Sequence, residues 1–222
     1  ARIIDPAYGS STPVAPRSVI ILFIALLFGL ATPFGIIYLM EILDTTIRGR
    51  KDIEDKLSIP FLGDIPEYHG STRQGSVVVR DNGRDSVSEA FRLIRSNLGF
   101  MSVKSGKLQI IMVTSSDPHA GKTFVTTNLA MTLALADKKV VIVDLDLRRR
   151  TLSKQMGQRD NRNGVSGYIS GTIANLNDIV FQSGLHENLD IIFAGLQPPN
   201  PAEMLLSEKF DEFMADLRKR YD

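Results

Sequence analysis

Apolar residues are arranged along this chain in three different patterns. From Ser18 to Met40 the run SVIILFIALLFGLATPFGIIYLM carries no charge on any face. About 20 such residues suffice for a helix to cross a bilayer, whereas a soluble helix keeps a polar stripe. Arg17 and Glu41 bound the run, and Tyr38 stands near one end as an interfacial aromatic does. Gly29, Pro33 and Gly35 are tolerated in lipid. The pattern predicts one transmembrane helix over 18–40. A secretory signal would have a shorter apolar core and a small-residue cleavage site.

The second pattern has helical spacing. Over Ser86 to Phe100, Phe91, Ile94 and Leu98 share a face, and Ser86 with Glu89 reads as a capping box. Glu89, Arg92 and Arg95 form E-x-x-R-x-x-R on the adjoining face; spacing alone makes these local ion pairs or solvated charges. A further helix is expected from Lys122 to about Ala136. The last begins at Asn200-Pro201-Ala202-Glu203, with Asn as N-cap and Pro at N1, and reaches about Arg220.

The third pattern is the short β-favouring run: Leu108 to Thr114, Val140 to Val143 and Leu189 to Ala194. Near-continuous apolar strands alternating with helices predict an α/β fold with a parallel sheet covered on both faces. Asn163 to Gly171 reads as a glycine-rich loop, followed by a short helix around Ile173 to Gln182. Between the membrane segment and this domain, Arg50 to Leu57 suits two helical turns and Ile59 to Pro66 an extended segment. Glu67 to Arg84 reads as a flexible tether. The resulting organisation is an extracytoplasmic, proline-containing connector (1–17), a transmembrane helix (18–40), a cytoplasmic juxtamembrane linker (41–84) and a P-loop domain (85–222). Arg48, Arg50 and Lys51 follow the span while Arg2 and Arg17 precede it, which directs residues 41–222 to the cytoplasm.

Composition sharpens this picture in a few places. The mean hydropathy of +0.00 averages the apolar run with a polar remainder. With 222 residues, one or two domains are expected. The 26 basic and 25 acidic side chains give a net charge of +1, which argues against a chain that coats nucleic acid. There is no cysteine, which excludes disulfides and thiolate chemistry, and His69, His119 and His186 lack metal-ligand spacing.

The chemistry concentrates after two of the strands. Leu108 to Thr114 leads into Ser115-Ser116-Asp117-Pro118-His119-Ala120-Gly121-Lys122-Thr123 and then a helix. Strand, loop ending in Gly-Lys-Thr, and helix is the context of a phosphate-binding loop, although Ser116 stands where that pattern has its first glycine. Backbone N–H groups and the helix N-terminus form an anion nest there. Lys122 supplies charge to outer phosphates and Thr123 a hydroxyl to Mg²⁺. The run Val140-Val141-Ile142-Val143 ends in Asp144-Leu145-Asp146, and ligands of open α/β sheets bind beyond the carboxyl ends of strands. Those carboxylates can hold Mg²⁺ or accept a proton. Arg148, Arg149, Arg150 and Lys154 cluster nearby; they suit phosphates or anionic lipid, or simply a solvated surface.

Taken together, the apolar span, E-x-x-R-x-x-R, Ser-x4-Gly-Lys-Thr, V-V-I-V-D-L-D-L-R and P-P-N-P-A-E-M-L-L (Pro198 to Leu206) resemble the bacterial tyrosine kinases joined to polysaccharide co-polymerase membrane domains. The resemblance implies ATP and Mg²⁺. A Walker A loop would comprise Ser116, Asp117, Pro118, His119, Ala120, Gly121, Lys122, Thr123 and Phe124, and a Walker A′ motif would be carried by Asp144 and Asp146. Lys122, Asp144 and Asp146 would be catalytic; Thr123, Asp144 and Asp146 would bind the metal. Glu89, Arg92 and Arg95 would meet a neighbouring subunit in a ring. The implied protein is an inner-membrane autokinase controlling capsular or exopolysaccharide chain length, with itself, the polymerase and export machinery and membrane lipid as partners, and no nucleic acid.

The chain departs from the family in lacking a Walker B strand and a C-terminal tyrosine cluster. It reads as a piece that is inactive or feeble alone. Tyr8, Tyr38, Tyr68, Tyr168 and Tyr221 are scattered, and His119-Ala120 replaces the usual Gly-Glu. An ATPase switch resembling the ParA and MinD partitioning and division-site ATPases, or a non-catalytic membrane scaffold, are the alternatives.

Overall fold

The computed structural model describes residues 9, 17–44, 46–47, 49–55, 57–68, 77–105, 108–118, 120–156 and 163–222. His119, most of the connector and much of the tether lie outside the described residues. The chain divides into two units, Ala1–Pro60 and Phe61–Asp222.

In the first unit, helix α1 spans Ser18–Leu43, three residues beyond the expected end, and none of its side chains is buried. It is long and apolar enough to cross a membrane. Pro33 has no N–H to give the carbonyl four residues back, at Gly29, where the absence of a side chain eases the ring's approach. Just before it, Thr32 Oγ1 donates to the Phe28 carbonyl at 2.6 Å. A shorter helix, α2 (Arg50–Glu54), is braced by Arg50 Nε donating to Glu54 Oε1 at 2.7 Å.

Among the described residues the second unit holds a three-stranded sheet, in the order 140–143, 189–192, 180–182, with helices on both faces. Strand β1 (Val140–Val143) runs parallel to β3 (Leu189–Ile192), Val140 opposite Leu189. Strand β2 (Val180–Gln182) is antiparallel to β3, Val180 opposite Ile192, so the sheet is mixed. Alternation along and beyond β3 divides the core. Leu189, Ile191 and Phe193 join Phe91 and Ile94 of α3 (Ser86–Ser105), Leu129 and Ala134 of α4 (Lys122–Ala134) and Leu152 of α5 (Thr151–Gln155). Ile192 and Ala194 join Val165 and Tyr168 of α6 (Val165–Ile169) and Phe213 and Leu217 of α8 (Glu208–Arg220). Asn128 of α4 is fully buried: its Oδ1 accepts from the Val78 and Val79 amides at 2.8 and 3.1 Å, and its Nδ2 donates to the Phe124 carbonyl. One amide side chain thus clasps the strap preceding α3 to the phosphate-loop helix.

Several expectations are corrected. The cap of α3 is Asp85, whose Oδ1 accepts from the Ser88 amide at 2.9 Å, not Ser86; Glu89 pairs with Arg92 instead of closing a capping box. Residues 173–182 form no α-helix but a 3₁₀ turn (Leu176–Ile179) running directly into β2, whose backbone groups pair with β3 instead of closing helical turns. The glycine-rich stretch contains α6. The last helix is broken into α7 (Pro201–Leu205) and α8, where Ser207 Oγ caps the Phe210 amide. Asn200 makes no backbone cap; its Nδ2 donates to Glu203 Oε2.

The largest correction concerns 108–114. No strand forms there, and β1 takes β3 as its ladder partner. Leu108, Ile110, Ile111 and Met112 remain 39–80% exposed. The segment is held through Gln109, whose Nε2 donates to the Arg218 and Tyr221 carbonyls at 3.1 and 3.3 Å. An apolar, β-favouring run does not by itself choose the strand it pairs with.

Candidate nucleotide site

Helix α4 begins where the loop turns at Gly121, whose φ of 86° lies in the left-handed region that glycine adopts without strain. No side chain caps that helix start, so its first N–H groups are available to an anion. Lys122 folds back over the loop: its Nζ donates to Ser115 Oγ at 2.7 Å and to the Asp117 carbonyl at 3.2 Å. Ser115 Oγ in turn donates to the Asp117 carbonyl at 2.7 Å, and Ser116 Oγ to Asp117 Oδ2 at 3.2 Å. The loop is therefore cross-linked around the ammonium that would meet a phosphate. Farther along, the Thr127 hydroxyl donates to the Thr123 carbonyl.

Beyond the carboxyl end of β1, two aspartates two residues apart behave differently. Asp146 is exposed and engaged: Oδ1 accepts from the Arg149 amide at 3.0 Å and Oδ2 from the Thr151 hydroxyl at 3.2 Å. Asp144 is only 7% exposed. Its Oδ1 accepts from the Asp146 amide at 3.1 Å, while its Oδ2 has no partner among the described residues. Burial pushes the Asp144 carboxyl up to about 6, reinforced by the nearby Asp146 charge and opposed by the Asp146, Ser153 and Leu152 amides. The turn is completed by Arg150 at φ 52°, with its Nη1 donating to the Gly195 carbonyl at 3.3 Å. That carbonyl lies just after β3. There Gly164 packs against the backbone so closely that a Cβ would sit 2.3 Å from the Phe193 oxygen.

Loop and turn line one cavity of about 1680 Å³. Ser116, Asp117, Pro118, Gly121, Lys122, Thr123 and Phe124 lie on its wall, with Asp144, Asp146 and Arg149. Ala120 is described but is not on that wall. The expected neighbours are thus brought together although their segments share no ladder. A nucleotide site of ordinary size is about 300–1,000 Å³; the excess lies beside 108–114 and β1, along Leu108, Ile110, Val140 and Ile142. The donor set fits Mg²⁺, which takes oxygen ligands from one or two carboxylates together with phosphate. A buried carboxylate oxygen without a hydrogen bond is the kind of group a hard cation satisfies.

Glu89, Arg92 and Arg95 are all engaged within the chain. Glu89 forms an ion pair with Arg92, whose Nη2 also donates to the Asp81 carbonyl. Arg95 Nη1 donates to the Thr132 carbonyl at 3.0 Å, tying α3 to α4. Sequence reasoning gave no role to Ser115 and Thr151, the hydroxyls that hold Lys122 and Asp146. The available signal was a hydroxyl residue at the start of the loop and another just after the aspartates.

The profile CbiA, described as "CobQ/CobB/MinD/ParA nucleotide binding domain", matches residues 111–220. A Klebsiella pneumoniae relative whose name places it in the cps region is 30% identical over 235 residues, all of this chain and 32% of the relative. "Tyrosine-protein kinase etk" of Escherichia coli (strain K12) is 28% identical over 240 residues, again all of this chain and 32% of the relative. The chain therefore spans about a third of the length of these curated relatives. Among solved structures, "BceF Tyrosine Kinase Domain" superposes with a TM-score of 0.67 at 30% identity, covering 80% of this chain and 74% of that one.

Proposed function

The chain belongs to the bacterial tyrosine kinase family, and on that premise we propose that it is the nucleotide-binding part of an ATP-dependent protein-tyrosine autokinase held at the inner membrane by α1. The observation that carries the reading is the shared cavity of Lys122, the α4 N-terminus and the Asp144/Asp146 pair. ATP would place its phosphates against Ser116 to Phe124, with Lys122 exchanging its bonds to Ser115 and Asp117 for phosphate oxygens. Thr123, Asp144 and Asp146 would hold Mg²⁺, which when bound neutralises charge on the outer phosphates. An aspartate at the strand end would accept the tyrosine proton. Catalysis would rest on positioning and charge rather than on a covalent intermediate.

Capsular or exopolysaccharide chain length would be the output, through contact with polymerase and export machinery. The region named for the Klebsiella relative supports that setting. Glu89, Arg92 and Arg95 would serve a homo-oligomeric ring by exchanging their present bonds for ones to a second copy. Lys122→Met in the full-length protein tests the core of the reading: a folded variant should lose both nucleotide binding and phosphotyrosine formation, and retained labelling would overturn it. The MinD/ParA description of the matching profile favours a second reading, an ATPase switch. Phosphate release without any phosphotyrosine would select that one.

A further inference from the structure

We propose that Tyr68 is a phosphoacceptor, presented by one copy of the chain to the nucleotide site of another. The inference rests on the kinase reading above and supplies its substrate.

The tyrosines are placed very differently. Tyr168 is 6% exposed and packs its ring 5.6 Å from that of Phe213. Tyr221 is half-buried and donates its hydroxyl to Asp190 Oδ2 at 2.8 Å; burial and that bond raise its phenol above the ordinary value. Tyr38 lies within the apolar α1, and Tyr8 lies outside the described residues. Tyr68 is 40% exposed, in backbone that belongs to no helix or strand. The segment before it is pinned: Asn97 Nδ2 donates to the Leu62 carbonyl at 2.8 Å, and Ile65 packs on the core. The segment after it is pinned where Val78 and Val79 bind Asn128. Tyr68 therefore lies beyond the last side chain that the first anchor holds.

Its chemistry suits the site it would visit. Asp64 and Glu67, both exposed, precede it. The cavity wall that carries Lys122 also carries Arg149 and Lys154, both exposed. An acidic acceptor segment meeting a basic rim gains encounter rate and correct orientation. Tyr68 does not line the cavity of its own chain, so the acceptor comes from a second copy. In the transfer, Tyr68 Oη attacks the γ-phosphorus of ATP. The Oη–P bond forms and the bond from phosphorus to the β–γ bridging oxygen breaks. ADP leaves with that electron pair, and the phenolic proton passes to an Asp144 or Asp146 carboxylate oxygen.

The experiment incubates the full-length protein, in detergent, with ATP and Mg²⁺, maps phosphotyrosine by mass spectrometry, and follows transfer to an acidic glutamate–tyrosine copolymer in parallel. The expected result is phosphate on Tyr68. Tyr68→Phe should lose that modification while still labelling the copolymer. When Lys122→Met is mixed with Tyr68→Phe, label should appear on Tyr68 of the nucleotide-deficient copy. Copolymer labelling with Tyr68 unmodified overturns the assignment of Tyr68 and leaves the kinase reading standing. Labelling of neither chain nor copolymer overturns the kinase reading and this inference with it. Label that reaches Tyr68 only within a copy's own chain overturns delivery between copies.

Discussion

The loop entering α4 and the turn leaving β1 face the same cavity, yet they hold their polar groups in opposite ways. In the loop, Lys122, Ser115 and Asp117 satisfy one another before any ligand arrives. In the turn, Asp146 is satisfied but one oxygen of buried Asp144 is not. The loop can therefore wait without strain, at the cost of breaking its own bonds when phosphate binds. The turn carries an unfavourable buried charge that a cation would relieve. Affinity for the anion and affinity for the metal thus have different sources.

The largest effect expected from breaking the loop side is Lys122→Met. Loss of a charge-assisted contact of about 3 kcal/mol corresponds to roughly a hundredfold weaker nucleotide binding, measurable by titration calorimetry. Equal affinity in both proteins would remove Lys122 from the site.

Asp144→Asn acts on the turn side and should separate stability from binding. In the folded chain the carboxyl ionises near 6 instead of 3.8, so the folded state binds the proton more tightly than the unfolded one. Stability without ligand should therefore fall as pH rises from about 4 to about 6, by up to about 3 kcal/mol, and stay low above that. The Asn variant should lack this fall, unfold at higher urea near neutrality, and bind Mg²⁺–nucleotide more weakly. Parallel urea midpoints for the two proteins across pH 4–8 would show that Asp144 is not a strained charge.

Gly121→Ala forces a left-handed conformation on an L-residue at the α4 start. A loss of about 1–2 kcal/mol in thermal stability is expected, and an unchanged melting temperature would argue against the loop conformation described. The smallest effect belongs to Thr151→Val, which removes the hydroxyl from Asp146 Oδ2. Mg²⁺–nucleotide affinity should drop by about 1 kcal/mol with little change in melting temperature, whereas a loss confined to stability would make Thr151 merely structural.

The same contrast explains what could be read in the amino-acid sequence. The loop was legible because its function is written in consecutive residues, Gly121-Lys122-Thr123 opening a helix. Helix α1 was legible because its apolar character needs no partner to interpret. The turn was legible only as two carboxylates; that Asp144 would be buried and Asp146 exposed depends on Leu152 and Ser153 folding over the strand end. Leu108 to Thr114 failed as a strand because ladder pairing is a tertiary choice, and β1 pairs with β3. Strand β2 and α6 are only three and five residues long, too short for a periodic pattern to register. The cap moved from Ser86 to Asp85 because either residue type caps well and only geometry chooses between them.

Arg150 gives the turn a mechanical property. A non-glycine residue at φ 52° carries a conformational cost of about 1–2 kcal/mol, and the same residue's guanidinium reaches across to the Gly195 carbonyl. Replacing it with glycine would relieve the first and sever the second, two changes of similar size and opposite sign. The melting point of such a protein would barely move. What would change is stiffness: the Asp144 amide would still donate to the Ile192 carbonyl at 2.9 Å, but the turn beyond it would lose its tie to Gly195 and would hold Asp146 less firmly. Arg150 is thus a cross-brace whose worth registers in how sharply Asp146 is aimed, while leaving the total free energy of folding nearly unaltered.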